Sequence, residues 1–142
     1  MIGPLAVPII LLVFSNIIDY ITGLNASKYR NEKVNSYKSI RGITKKIHMW
    51  LLICVGAIVD ELIKYTVAQM GFSFPFSFAI AAIVAVWLIC NELISILENI
   101  KDIGVPLPDF LLKLTKNIKS QVEKTADAIK DEGGNTDEEN ND

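Results

Sequence analysis

The stretch VWLICNELISILENIKDIGVPLPDFL, residues Val86–Leu111, decides how the chain is organised. It begins as an apolar run suited to lipid, and then places Asn91 and Glu92 between apolar neighbours. It ends at a break made of one glycine and two prolines, Gly104, Pro106 and Pro108. Proline lacks the amide donor of a helix and restricts the residue before it. The stretch therefore predicts an apolar helix that carries a carboxylate and stops abruptly.

Three segments of the chain are apolar and long enough to cross a bilayer: residues 5–24, 47–68 and 74–97. At about 1.5 Å of rise per residue, about 20 residues cover a hydrocarbon core of roughly 30 Å. The chain of 142 residues is 51% hydrophobic, and three such runs leave too little polar sequence to coat a soluble core. A soluble protein with three buried helices is the alternative, but buried helices of soluble proteins are usually shorter and amphipathic.

Basic residues concentrate between the first two runs, in residues 25–46. Seven bases stand there against the single acid Glu32: Lys28, Arg30, Lys33, Lys38, Arg41, Lys45 and Lys46. The link QMGFS, residues 69–73, carries no charge. Because bases collect in cytoplasmic loops, the sequence predicts a cytoplasmic loop over 25–46, an N-terminus outside and a C-terminus in the cytoplasm. A loop held between two spans meets anionic lipid first, so no nucleic-acid partner is expected.

The chain changes character after the glycine-proline break. Residues 107–131 repeat apolar side chains at three- and four-residue spacing, with lysines on the other surfaces, which predicts an amphipathic cytoplasmic helix. Such a helix lies on the bilayer or packs against its own copies. Residues 132–142 are acidic and lack apolar side chains, so we expect disorder. The predicted fold is an all-α membrane protein: a membrane domain over 1–106 with three transmembrane helices, the cytoplasmic amphipathic helix and a disordered acidic tail.

The sequence contains no recognised motif for catalysis, a metal or a cofactor. The GxSxG, HExxH, P-loop and dinucleotide-binding patterns do not occur. Cys54 and Cys90 lie inside apolar runs without metal-ligand spacing, as is typical of small apolar fillers. We therefore expect no enzymatic activity, no cofactor and no metal site.

Each apolar run also has a face of small and polar residues. Small residues let helices approach, and polar side chains then hydrogen-bond between them. Asp19 and Glu92 lie about five residues inside the cytoplasmic ends of their runs, or roughly 7–8 Å deep, within reach of the bases of 25–46. These faces either join the helices of one chain or join several copies around an aqueous lesion. The candidate residues are Asp19, Thr22, Gly23, Asp60, Ala81, Ala85, Glu92, Ser95, Glu98 and Asn99.

Four elements resemble the holins of phage lysis and clostridial toxin secretion. They are DYITG at 19–23, SIRGITKK at 39–46, Asp60, and NELISILENIKDIGVPLPDFL at 91–111. The last is the most specific, since a Ser-Ile-x-Glu-Asn core followed by Gly-Val-Pro-x-Pro is an unusual combination. The helix beyond Lys116 and the acidic tail are longer than the resemblance covers.

The resemblance implies a small multi-pass protein of the host's bacterial inner membrane, whose partners are its own copies and the lipid bilayer. Holins assemble into membrane lesions at a set time, collapse the proton-motive force, and release an endolysin or help large toxins leave the cell. An antiholin, which has the same fold and delays a partner holin, is both an implied partner and an alternative identity. A small secretion or transport subunit is a second alternative.

Overall fold

The computed structural model describes residues 3, 5–33, 36–73, 75 and 77–134. Within these ranges the chain forms four helices and no strand, which confirms the all-helical prediction. The helices are α1 (Ala6–Tyr29), α2 (Ser36–Gln69), α3 (Ala79–Asp102) and α4 (Asp109–Gly134). The side chains of Lys38 and of 131–134, and residues 135–142 of the predicted acidic tail, lie outside the described residues.

The first three helices end in the same way, at a residue of positive φ that turns the chain out of the helix. After α3 this residue is Gly104 (φ 93°), and the next amide donates back into the helix with an N···O distance of 3.3 Å. Gly71 (φ 81°) and Asn31 (φ 53°) occupy the same position after α2 and α1. Glycine and asparagine accept this left-handed conformation readily. With Pro106 and Pro108 following, α3 ends where the glycine-proline break predicts.

α2 begins well before the second apolar run. A loop is the sequence-based prediction for 25–46, whereas α1 continues to Tyr29 and α2 starts at Ser36. Residues 25–29 and 36–46 of the predicted loop are thus helical, and the cytoplasmic position of this segment stays a prediction. Lysine and arginine are good helix formers, so a basic segment without proline extends the neighbouring helices. With 34 residues, α2 is about 51 Å long.

α3 is the central helix, because α1, α2 and α4 all pack against it. The core contains six side chains from the first three helices: Leu12, Met49, Ile53, Ala81, Ala85 and Leu88. α2 and α3 approach closely at Gly56, where an added Cβ would lie 3.0 Å from the Cα atom of Ala81. Since a methyl group does not fit there without a shift, the glycine sets the distance between the two helices.

Two helices, α1 and α3, are long and apolar enough to cross a membrane by length and composition. Only 17% of the most apolar window of α1 is buried, and Phe14 is 60% exposed. A core helix of a soluble protein would be mostly covered, which argues against the alternative of three buried helices. Among the described residues α2, which contains the predicted run 47–68, is not a candidate span, and its apolar part carries Asp60, Glu61 and Lys64.

α4 turns back along α3 as the second arm of a helical hairpin. Trp87 lies fifteen residues before the end of α3, and its indole donates to Glu123, fourteen residues after the start of α4. The helix predicted over 107–131 is present, with the bounds Asp109–Gly134. It packs on α3 of the same chain, whereas the sequence suggested the bilayer surface or another copy.

Candidate functional site

Lys46 of α2 lies between acidic side chains of α1 and α3. Its Nζ atom is 2.9 Å from Asp19 Oδ2 and also contacts Glu92 Oε2. Glu92 is only 3% exposed, so its carboxylate depends on protein partners rather than on water. Buried charges lose their hydration, and this loss is offset only when the partner is close and further hydrogen bonds are made. A single lysine thus joins three helices.

Asn16 of α1 holds Glu92 from a second side. It is buried one helical turn before Asp19. The surrounding donors and acceptors orient its amide so that the nitrogen donates to Glu92 Oε2 at 2.9 Å and the oxygen accepts from the Trp50 indole at 3.2 Å. Among the described residues, every buried side-chain nitrogen and oxygen has a hydrogen-bond partner. The charged group is therefore fully paired within one chain.

A second arm runs from Asp19 toward the ends of α1 and α3. Asn99 Nδ2 lies 3.4 Å from Asp19 Oδ1 and 3.3 Å from Thr22 Oγ1. Arg30 Nη2 donates to Asn99 Oδ1 at 3.1 Å, and Arg30 Nε donates to Asp102 Oδ2 at 2.6 Å. We call the connected side chains the ionic network: Asn16, Asp19, Thr22, Arg30, Lys46, Trp50, Glu92, Asn99 and Asp102.

The register of consecutive antiparallel helices brings the central charges to one depth. Asp19 lies ten residues before the end of α1, Lys46 ten residues after the start of α2, and Glu92 ten residues before the end of α3. At about 1.5 Å per residue, each lies about 15 Å from that end of the bundle. A short link joins α1 to α2, so the equal depth of Asp19 and Lys46 follows once these helix ends are known. The depth of Glu92 depends instead on how α3 packs against the other two helices.

The other buried acid, Asp60 of α2, caps the start of α3. Its two carboxylate oxygens accept from the backbone amides of Ile80 and Ala81 at 2.9 and 2.8 Å. The first amides of a helix lack partners within the helix and carry partial positive charge, so a carboxylate is stabilised there. Gly56 lies one turn before Asp60, and its close approach to Ala81 brings the carboxylate within reach.

Most of the predicted assembly residues face the interior of one chain. Those at contacts between helices are Asp19, Thr22, Gly23, Asp60, Ala81, Ala85, Glu92 and Asn99. Ser95 is half-buried and Glu98 is exposed. The structure therefore shows the arrangement in which the small and polar faces join the helices of a single chain. The role of these residues between copies stays a prediction.

The bases of residues 25–46 occupy different positions. Lys46 and Arg30 belong to the ionic network, and Lys45 lines a cavity of about 280 Å³ beside it. Lys28, Lys33 and Arg41 are exposed. The sequence places the bases of 25–46 within reach of Glu92, and Lys46 makes the contact.

Three members of the network are not among the candidates that the sequence provides. Asn16 had a usable signal, because it lies three residues before Asp19 on the same helical face. Trp50 and Asp102 have the same spacing, four residues after Lys46 and three after Asn99, but their partners lie on or next to another helix and cannot be identified from spacing. Within the described part of the chain, no three His, Cys, Asp or Glu side chains are arranged to hold a metal, and both cysteines are free thiols.

A family comparison covers the whole of this site. The model of the bacteriophage holin family matches residues 1–120. The chain belongs to the bacteriophage holin family. The match includes the ionic network, Asp60, the glycine-proline break and the first half of α4. The family, together with two helices that suit a bilayer by length and composition, indicates a membrane protein.

Relatives of this holin occur in several bacteria. An uncharacterized protein of Clostridium perfringens is 29% identical over 119 residues, which cover 84% of this chain and 80% of that protein. An uncharacterized protein of Clostridium acetobutylicum is 30% identical over 122 residues, or 85% and 88% of the two chains. One of Halalkalibacterium halodurans is 31% identical over 108 residues, or 76% and 75%. No solved structure matches this holin.

Proposed function

We propose that this holin forms lesions in the bacterial inner membrane by assembling with its own copies. The lesions collapse the membrane potential and release a muralytic enzyme or a large toxin. The observation that carries the proposal, together with the family, is the ionic network buried between helices that are otherwise apolar. A purely structural membrane bundle could join its helices with small residues alone, at lower cost in desolvation.

The ionic network gives each apolar helix a face that is stable in two surroundings. In the single chain the charges are paired, as between Lys46 and Glu92. In an assembly the same faces line water, where a carboxylate and an ammonium regain their hydration. Because desolvation largely offsets the attraction within a buried ion pair, exchanging the pair for hydration costs little. The lipid-facing side of α1, with Ile10 and Phe14, contacts lipid in both arrangements.

The proposal includes α2 as a third membrane-crossing helix. The fourteen residues from Lys46 to Asp60 span about 21 Å of the apolar layer. Asp60 has its partners at the start of α3, and Glu61 lies 3.5 Å from Lys64 in an exposed pair. Charges that are paired, or that lie near the bilayer surface, cost much less than an isolated charge at its centre.

The proposed orientation places the N-terminus outside and the C-terminus in the cytoplasm, because the bases of 25–46 lie at the end shared by α1, α2 and α3. Single cysteines at Ser27 and Ser73, in a Cys54→Ser/Cys90→Ser background, test it with a membrane-impermeant maleimide. From outside the cell we expect labelling at position 73 and protection at 27. The reverse pattern would overturn the orientation.

Induced expression in a bacterial host tests the function. We expect an abrupt loss of membrane potential at a defined time, followed by passage of proteins. Glu92→Gln should insert normally and change that time, whereas Asp127→Asn, at an exposed acid of α4 outside the candidate residues, is the matched control. No effect alone, with delayed lysis beside another holin, would assign an antiholin instead. Leakage of small solutes without proteins would favour a transport subunit.

A further inference from the structure

α4 is held against the middle of α3 by specific contacts. The Trp87 indole donates to Glu123 Oε1 at 2.9 Å, and Lys119 Nζ lies 5.2 Å from the centroid of the Trp87 ring. Thr115 of α4 is buried, and Val122 lines a small groove with residues of α3. α4 is thus docked on α3 rather than loosely attached.

In the membrane-inserted chain of the proposed function, this docked position would lie within the apolar layer. Trp87 is eight residues from the start of α3, where Asp60 caps the helix, and five residues from Glu92. The outer side of α4 at this level carries a charge, because Lys124, next to Glu123, is exposed. If α3 crosses a bilayer, as the proposed function requires, this ammonium group would face acyl chains without an ion-pair partner among the described residues. Such a position is costly, so α4 leaves α3 when α3 enters the bilayer.

The link before α4 allows that movement. It combines Gly104 at φ 93° with Pro106 and Pro108, and neither proline has an amide that could continue a helix. A cavity of about 410 Å³ lies at this elbow, lined by Lys101, Lys113 and Lys116 together with Asp109 and apolar side chains.

α4 also presents a surface that suits a membrane. Phe110, Leu114 and Ile118 follow one helical stripe and are 45–64% exposed even in the docked chain. Lys113 and Lys116 flank this stripe on α4. An apolar stripe flanked by lysines binds the interface of a bilayer that contains anionic headgroups. The lysines of the elbow cavity face the same headgroup region once α3 spans.

We propose that α4 is a two-position helix, docked on the Trp87 face of α3 in the closed chain and bound to the anionic surface of the membrane after insertion. The inference rests on the insertion included in the proposed function. It goes beyond that function because it assigns a lipid partner to α4. It also means that the Trp87 face of α3 is uncovered only after α4 has moved.

The depth of a label on α4 in vesicles tests the proposal. The full chain, in a Cys54→Ser/Cys90→Ser background, carries one fluorophore at Lys124→Cys. Val55→Cys on α2 marks the acyl-chain depth, and Lys28→Cys marks the surface. The probes are vesicles of phosphatidylcholine with phosphatidylglycerol that contain nitroxide lipids labelled at the headgroup or at mid-chain. We expect the label at 124 to match the label at 28, with headgroup quenching several-fold stronger than mid-chain quenching. A label at 124 that matches 55 overturns the proposal.

Changing the charge of the lipid, or of the α4 lysines, tests whether α4 binds anionic headgroups. Replacing phosphatidylglycerol with phosphatidylcholine should reduce headgroup quenching at 124 several-fold, and Lys113→Gln/Lys116→Gln should do the same in anionic vesicles. The matched control Lys28→Gln/Lys33→Gln, also at exposed lysines, should leave that quenching unchanged. Equal quenching in neutral and anionic vesicles, or equal effects of the two double variants, overturns the lipid assignment.

Dye leakage from the same vesicles separates this inference from the proposed function. A surface label at 124 without leakage supports the two-position helix and counts against lesion formation. Leakage together with a label at 124 at acyl-chain depth overturns the two-position helix and leaves the proposed function standing. A label at 55 that stays outside the acyl chains would show that α2 has not inserted. Because the two-position helix and the proposed function both require insertion, this result overturns both proposals.

Discussion

Replacing Lys46 by methionine should destabilise the chain more than any other single change in the ionic network. Methionine keeps the length of the side chain and removes its charge. Asp19 and Glu92, which both contact the Lys46 ammonium, then face each other without a cation. Removing one partner of a buried ion pair costs about 3–5 kcal/mol. Lys45 is the matched control, because it is the exposed neighbour of Lys46 beside the same cavity.

Proton uptake sets an upper limit on the stability that Lys46→Met can lose, because an unpaired glutamate can bind a proton. Protonating an ordinary glutamate at pH 7 costs about 3.7 kcal/mol, since pH 7 lies about 2.7 units above its usual pKa and each unit is worth about 1.36 kcal/mol. A loss of about 3–4 kcal/mol is therefore expected for Lys46→Met. Glu92→Gln leaves Lys46 paired with Asp19 at 2.9 Å and should cost only about 1 kcal/mol. The double variant should recover about 2 kcal/mol relative to Lys46→Met, because no unpaired glutamate remains.

Reversible unfolding in mixed micelles of a mild detergent and dodecyl sulfate, followed by circular dichroism, measures these differences. Lys45→Met should lie within about 0.5 kcal/mol of the unmodified chain, as surface substitutions usually do. Equal losses for Lys46→Met and Lys45→Met would refute the reasoning. So would a double variant that is less stable than Lys46→Met, since Glu92 would then not be the group left unpaired.

Three further predictions concern other parts of the chain. Gly56→Ala should lower the free energy of unfolding by about 1–3 kcal/mol, because its Cβ would lie 3.0 Å from Ala81 Cα. Gly23→Ala is the control, since its Cβ would lie 3.6 Å from its nearest neighbour. Equal thermal stability of the two variants in detergent would contradict the prediction. Asp60→Ala leaves two α3 amides without an acceptor and should cost about 1–2 kcal/mol, and Asp60→Asn should cost less in the same measurement. Truncation after Asp131 removes no apolar side chain and should leave permeabilisation of induced cells intact. Loss of permeabilisation at normal membrane levels of the protein would refute the prediction.

Local chemistry determined the helical organisation. The ends of α2 and α3 follow from Gly71 and Gly104, because a left-handed residue and the hydrogen bonds that accompany it involve only the last turn of a helix. The apolar runs and the amphipathic pattern of α4 are also readable without tertiary information, since helical periodicity depends on neighbours three and four residues away. The basic segment shows the limit of this reasoning, because charge predicted a loop where lysine and arginine continue the helices.

The sequence by itself determined that acids lie inside apolar helices and that bases lie near enough to meet them. Only the tertiary structure decided which groups pair: Lys46 rather than Arg41 or Lys45 contacts Glu92, and Asp60 caps α3 instead of pairing with Lys64. It also decided that α4 docks on α3. These choices depend on the axial register and rotation of helices that are far apart in the chain. Register is set by close packing, as at Gly56, and no local pattern encodes which distant side chain that packing will bring opposite.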